Sequence, residues 1–113
     1  DIVANAGNLG ALVAALHQGD LALLGRAIED RLVEPVRAGM IPSYADVRSA
    51  ARDAGALGCG ISGSGPTLFA LCDDADAASR AALAMRQAFK VGASLGSEAW
   101  VCPVNRTGAR ILE

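Results

Sequence analysis

The sequence predicts an α+β domain, with helices and an antiparallel sheet segregated into separate layers. Four segments repeat apolar residues at three- and four-residue intervals, and about four short runs of strand formers lie between and after them. The length of 113 residues holds one hydrophobic core but not two of ordinary size.

The first helix spans 1–18, where Ile2, Leu9, Leu12, Val13 and Leu16 form an apolar stripe and Gly7 and Gly10 allow a neighbour to come close. Gly19 stops it. Asp20 caps a second helix in which Leu21, Leu24, Ile28 and Leu32 keep the helical interval until Pro35 forbids continuation, giving an antiparallel helix pair. In "IPSYAD", Pro42 sets the approach, and Ser43 with Asp46 three residues on resembles a capping box for a third helix that runs to 54 and closes at Gly55.

Strand-like runs at 57–62 and 67–72 follow, too close in sequence for anything but a hairpin or sharp bend. Asp73 or Asp74 then caps a fourth helix, with Ala78, Ala82, Met85 and Phe89 on one face and its end near Gly92. Two last strands, 99–104 and 109–112, are separated by the turn sequence "NRTG".

In the run at 67–72, Leu68, Ala70 and Cys72 point one way and Phe69 and Leu71 the other, so both faces are apolar and something covers the second. The whole composition raises the same question, being 52% hydrophobic and 19% charged against about 25% charged in typical domains. Two readings stand: alanine-rich helices inflate the count, or part of the surface is covered by another domain or subunit.

A net charge of −2, no basic cluster and four aromatic residues exclude an electrostatic footprint for nucleic acid. Segments 2–19 and 54–72 are uncharged, but Asn5, Asn8 and Gln18 interrupt the first, and five glycines and Pro66 break the second, so neither is a membrane span. No secretory signal is visible at the start, and the reading is a soluble, cytoplasmic domain. The chain begins at Asp1 without a methionine, which suggests a fragment. Cys59, Cys72 and Cys102 are far apart, odd in number and without metal-ligand spacing, as for reduced structural thiols.

The stretch "SGSGP", residues 62–66, has two readings. It is a tight connection, with glycine supplying positive φ and proline fixing the exit, or its unhindered N–H groups and hydroxyls form a concave site for phosphate or carboxylate. It matches neither GxxxxGK[ST] nor GxGxxG.

Here "GALGCGISGSGPTLFALCDD" resembles the C-terminal glycine motif of the GHMP small-molecule kinases, with wording most similar to the homoserine kinases among them. The segment "VEPVRAGMIPSYADVRSAARDAGALG" and the ending "NRTGARILE" are similar to the same family, so the resemblance covers nearly the whole chain. It implies that 1–113 is a GHMP kinase C-terminal domain with a ferredoxin-like α/β plait and an antiparallel four-stranded sheet. It further implies an N-terminal ATP-binding domain, absent from this chain, as the partner covering the apolar face. The implied reaction is ATP-dependent phosphorylation of the L-homoserine hydroxyl in threonine biosynthesis, with ATP and Mg2+ bound mainly by that other domain. A homodimer is implied too, and the fragment alone is expected to be inactive. Another GHMP alcohol kinase, or a free-standing amino-acid-binding regulatory module, remains as an alternative.

Arg37 in "EPVR" matches an arginine that the family places on the substrate carboxylate; a planar guanidinium suits bidentate carboxylate binding, and a place just beyond Pro35 frees it from a regular helix. Gly63, Ser64 and Gly65, with Ser62 and Thr67 at the edges, match the loop near phosphate and substrate. Asn5 stands where some relatives carry histidine, and an amide cannot be a general base. No catalytic base or metal ligand is assigned. His17 suits a helix end, Asp73 and Asp74 suit capping, Arg80 and Arg86 a solvated face, and Trp100 core or interface packing.

Overall fold

The computed structural model describes residues 1–113, in the order α1 (Ile2–Gln18), α2 (Leu21–Ala27), α3 (Glu34–Ala38), α4 (Tyr44–Asp53), β1 (Gly58–Ile61), β2 (Leu68–Leu71) and α5 (Ala75–Ala93). Local signals set several ends as expected. Gly19 closes α1 at φ 68°, the Asp20 carboxylate accepts the Leu23 N–H at 2.9 Å, and the Asp74 carboxylate accepts the Ala77 N–H at 2.7 Å. Gly55 follows α4 at φ 109°.

The second helix is shorter than its periodicity suggests, ending at Ala27 rather than Leu32. Side chains of α1 intercept the chain there: Asn8 Nδ2 donates to the Glu29 carbonyl at 2.7 Å, and Asn5 Oδ1 accepts the Arg31 N–H at 2.8 Å. Asp30 then takes the N–H groups of Leu32, Val33 and Glu34, which turns the backbone out of α2 and starts α3 with Pro35 in its first turn. Arg37 therefore sits on a short helix rather than free of one.

The capping box at Ser43 is not formed; Ser43 lies at φ 57° and its side chain makes no cap hydrogen bond. Gly92 of α5 lies so close to it that a Cβ there would run into the Ser43 side chain. At Gly7 and Gly10, by contrast, a Cβ would meet nothing within 4 Å, and the close approach falls at Gly25, against the Leu57 backbone.

The sheet is a single hairpin, with β1 antiparallel to β2 and Gly58 opposite Leu71 through Ile61 opposite Leu68. The α+β class holds, but the strands expected at 99–104 and 109–112 are absent, because 94–113 carries no helix or strand. Pro103 has no N–H to give a ladder, and no backbone hydrogen bond joins this segment to the outer edge of β2, which stays unpaired. The "NRTG" turn does form, with Asn105 Oδ1 accepting from the Thr107 N–H at 3.0 Å and Asn105 Nδ2 donating to the Gly108 carbonyl at 2.9 Å.

Helices α4 and α5 pack together, with Val47, Ala51, Ala77 and Ala81 buried, and Cys59 of β1 is buried as well. Ala15, Leu24 and Ala27 fill the α1 and α2 contact. Only 13 of 113 residues are buried, and Ile2, Leu9, Val13 and Leu16 of the α1 stripe remain exposed together with Val36, Met40 and Phe69. The radius of gyration, 14.6 Å, exceeds the roughly 13 Å of a compact domain of about this size. The apolar composition therefore reflects uncovered surface and not alanine alone. No helix is long and apolar enough to cross a membrane.

Candidate functional site

The glycine loop joins β1 to β2, and its shape follows from its residues. Gly63 and Gly65 take φ values of 60° and 80°, which strain any side chain, and the Gly65 to Pro66 peptide is cis. Ser62 and Thr67 close the base, the Ser62 N–H donating to the Thr67 carbonyl at 2.8 Å, while the Gly65 N–H turns back to the Ser62 carbonyl at 3.1 Å. The N–H groups of Gly63 and Ser64 have no acceptor in the protein, and both residues are exposed. Two adjacent donors thus face outward at the loop tip.

Arg37 reaches this loop from α3, its Nη1 donating to the Ser64 carbonyl at 3.1 Å. A guanidinium carries five N–H donors, so most of its capacity remains free. The structure brings Arg37 and the glycine loop together.

Beneath them lies a recess of about 100 Å³ with Arg37, Gly63, Gly60, Asp30, Glu34 and Phe69 in its wall. Asp30 and Glu34 were not singled out by sequence reasoning. Asp30 is a structural knot: Oδ1 accepts from Asn5 Nδ2 at 2.8 Å and from the Leu32 and Val33 N–H groups, and Oδ2 accepts the Glu34 N–H at 3.1 Å. The Asn5 amide, followed by those backbone donors, holds its carboxyl down to about 2. Asn5 thereby acquires a definite task, clamping the α2 to α3 turn from α1.

Glu34 is buried on α3. Its Oε1 accepts the Tyr44 hydroxyl and lies 3.3 Å from Arg48 Nη1 of α4. Burial, then the bond to Glu34, pushes the Tyr44 hydroxyl well above its usual range, so it stays a donor. Glu34 Oε2 has no protein donor and faces Gly60 across the recess, where a Cβ would stand 3.5 Å from it. The available sequence signal was the four-residue spacing of Tyr44 and Arg48, which puts both on one helical face toward an acid beside "PVR".

The remaining candidates lie elsewhere. His17 and Asp73 are exposed, and Asp74 caps α5. Arg80 and Arg86 are exposed yet tethered, to the Ala54 carbonyl at 3.4 Å and the Ser97 carbonyl at 3.1 Å. Trp100, 75% exposed, is not core; it borders an apolar groove between β2 and α5. All three cysteines are free thiols, and burial pushes Cys59 up to about 11. No three His, Cys, Asp or Glu side chains converge as a metal-holding group.

Comparison with known proteins gives concordant matches. The family model described as GHMP kinases C terminal matches residues 12–91. Homoserine kinase of Chloroherpeton thalassium is 53% identical over 106 residues, covering 94% of this chain and 33% of that protein. Homoserine kinase of Xanthomonas campestris is 43% identical over 112 residues, covering 99% of this chain and 34% of its own length. Among solved structures, the crystal structure of homoserine kinase from Cytophaga hutchinsonii superposes with a TM-score of 0.77 at 50% identity, over 80% of this chain and 29% of that one. The chain spans a third of the length of the first of these relatives.

Proposed function

From the premise that this chain belongs to the GHMP kinase C-terminal family, we propose that residues 1–113 are the C-terminal domain of a homoserine kinase. The reaction transfers the γ-phosphoryl group of ATP to the side-chain hydroxyl of L-homoserine, giving O-phospho-L-homoserine and ADP. ATP and Mg2+ are held mainly by the N-terminal part of the longer protein, and Mg2+ supplies charge neutralisation on the phosphates. A cytoplasmic homodimer and a four-stranded ferredoxin-like plait complete the reading; the unpaired edge of β2 supports a further strand in the intact protein.

One observation carries the proposal: Arg37 and two acids share a small recess directly below the glycine loop. An α-amino acid brings a carboxylate and an ammonium together, and a recess with both charge signs suits that pair. Arg37 directs its free N–H groups to the carboxylate. The unpaired N–H groups of Gly63 and Ser64 lie where they can stabilise charge on the phosphoryl group, and Ser62, Gly65 and Thr67 hold the loop in shape. Positioning one hydroxyl against the phosphate is the main work of such a site.

The test is ADP release by the full-length parent protein with homoserine, mevalonate or galactose as acceptor. Selective activity with homoserine supports the reading, with kcat/KM falling about 10- to 100-fold in Arg37→Ala, as for loss of a hydrogen bond to a charged group. No activity with homoserine overturns it. The 113-residue chain alone releases no ADP, and saturable turnover by it would refute the division of labour between domains.

A further inference from the structure

Resting on the homoserine kinase reading, we infer that Glu34 is the residue that recognises the substrate ammonium and makes the recess selective for an α-amino acid over the matching hydroxy acid.

Two carboxylates border the recess, and their hydrogen bonds separate them. Asp30 is fully engaged, with three donors on Oδ1 and the Glu34 N–H on Oδ2. Glu34 is engaged on one side only. Tyr44 and Arg48 both hold Oε1, and that grip aims Oε2 at Gly60 with no protein donor.

Oε2 keeps contact with the recess, and a carboxylate oxygen without a protein donor there is open to the N–H groups of a ligand. Glu34 is only 6% exposed, so a ligand reaches it through the recess. The gap before Oε2 exists because residue 60 is glycine: a Cβ there would also press on the Phe69 ring at 3.0 and 3.1 Å. Arg37 stands three residues further along the same short helix, one helical turn from Glu34. The two side chains therefore present opposite charges at the spacing of neighbouring groups, matching the adjacent ammonium and carboxylate of an amino acid. Arg48 offsets the charge of Glu34 on its far side and keeps the carboxylate in place when the recess is empty.

The experiment compares homoserine with 4-hydroxybutyrate, which keeps the hydroxyl and carboxylate but lacks the ammonium, in the full-length enzyme and its Glu34→Gln variant. In the variant the Tyr44 and Arg48 donors retain the amide oxygen, so the NH2 group turns toward the recess and repels an ammonium. The expected result is a kcat/KM preference for homoserine that shrinks about 10- to 100-fold, mainly through KM. Equal loss with both substrates marks Glu34 as purely structural and overturns the assignment, as does an unchanged preference. If the parent enzyme is inactive with homoserine, the underlying reading fails and the assignment with it. Should Glu34→Gln not fold, Gly60→Ala closes the approach to Oε2 and is expected to erode the same preference; a preserved preference overturns the inference.

Discussion

One substitution, glycine to alanine, is expected to have opposite signs at two helical positions. At Gly25 in α2, the new Cβ would stand 3.2 Å from the Leu57 carbonyl carbon and nearer still to its oxygen. Leu57 cannot easily yield, because its N–H is bonded to the Leu71 carbonyl at 2.8 Å. Overpacking of this kind costs about 1–3 kcal/mol, and contact with backbone belongs near the upper end. Helix propensity returns about 1 kcal/mol, leaving a net loss of about 2 kcal/mol. At Gly10 in α1 the Cβ meets nothing within 4 Å, so only the propensity gain of about 1 kcal/mol remains. At roughly 4 °C per kcal/mol for a domain of this size, Gly25→Ala lowers Tm by about 8 °C and Gly10→Ala raises it by about 4 °C. Thermal unfolding of the 113-residue chain followed by circular dichroism measures both. A Gly25→Ala variant as stable as Gly10→Ala would refute the packing argument.

Asp30→Ala removes the acceptor that starts α3, and lowers stability by about 1 kcal/mol at pH 7, a modest figure because solvent screens this partly exposed group. Its folded pKa lies below the ordinary value of 3.8, so the contribution is present above pH 4 and is lost as pH falls through about 2. Urea midpoints of the native and variant chains should therefore converge between pH 4 and pH 2; a gap that stays constant would exclude the charged carboxylate as its source. In thiol titration at pH 8, exposed Cys102 reacts first and Cys59 only on unfolding, since burial holds its thiol up to about 11. Rapid labelling of Cys59 in the folded chain would contradict its burial.

What was legible in the sequence was largely local. Asp20 and Asp74 cap their helices because the cap bond spans three residues, and Gly19 ends α1 through its own backbone freedom. The glycine loop was legible because its φ values demand glycine in fixed places. The overrun of α2 had a distant cause: the interval of Leu24, Ile28 and Leu32 continues, but Asn5 and Asn8, more than twenty residues away, bond the backbone first. Ser43, which makes no cap bond, lies against Gly92 of α5, a neighbour far off in sequence. The strand expected at 99–104 had the right residue types, yet a strand exists only with a partner, and no composition supplies one. In the candidate site, Arg37 and the loop were singled out by motif. Glu34 was not, because its standing depends on Tyr44 and Arg48 arriving from another helix.

The bare outer side of β2 matters beyond the fold. Leu68 to Leu71 offers a row of backbone donors and acceptors beside an exposed Phe69, with no lysine among these four residues to discourage a visitor. Handled by itself, this chain therefore leaves an edge on which a second copy can lay a strand.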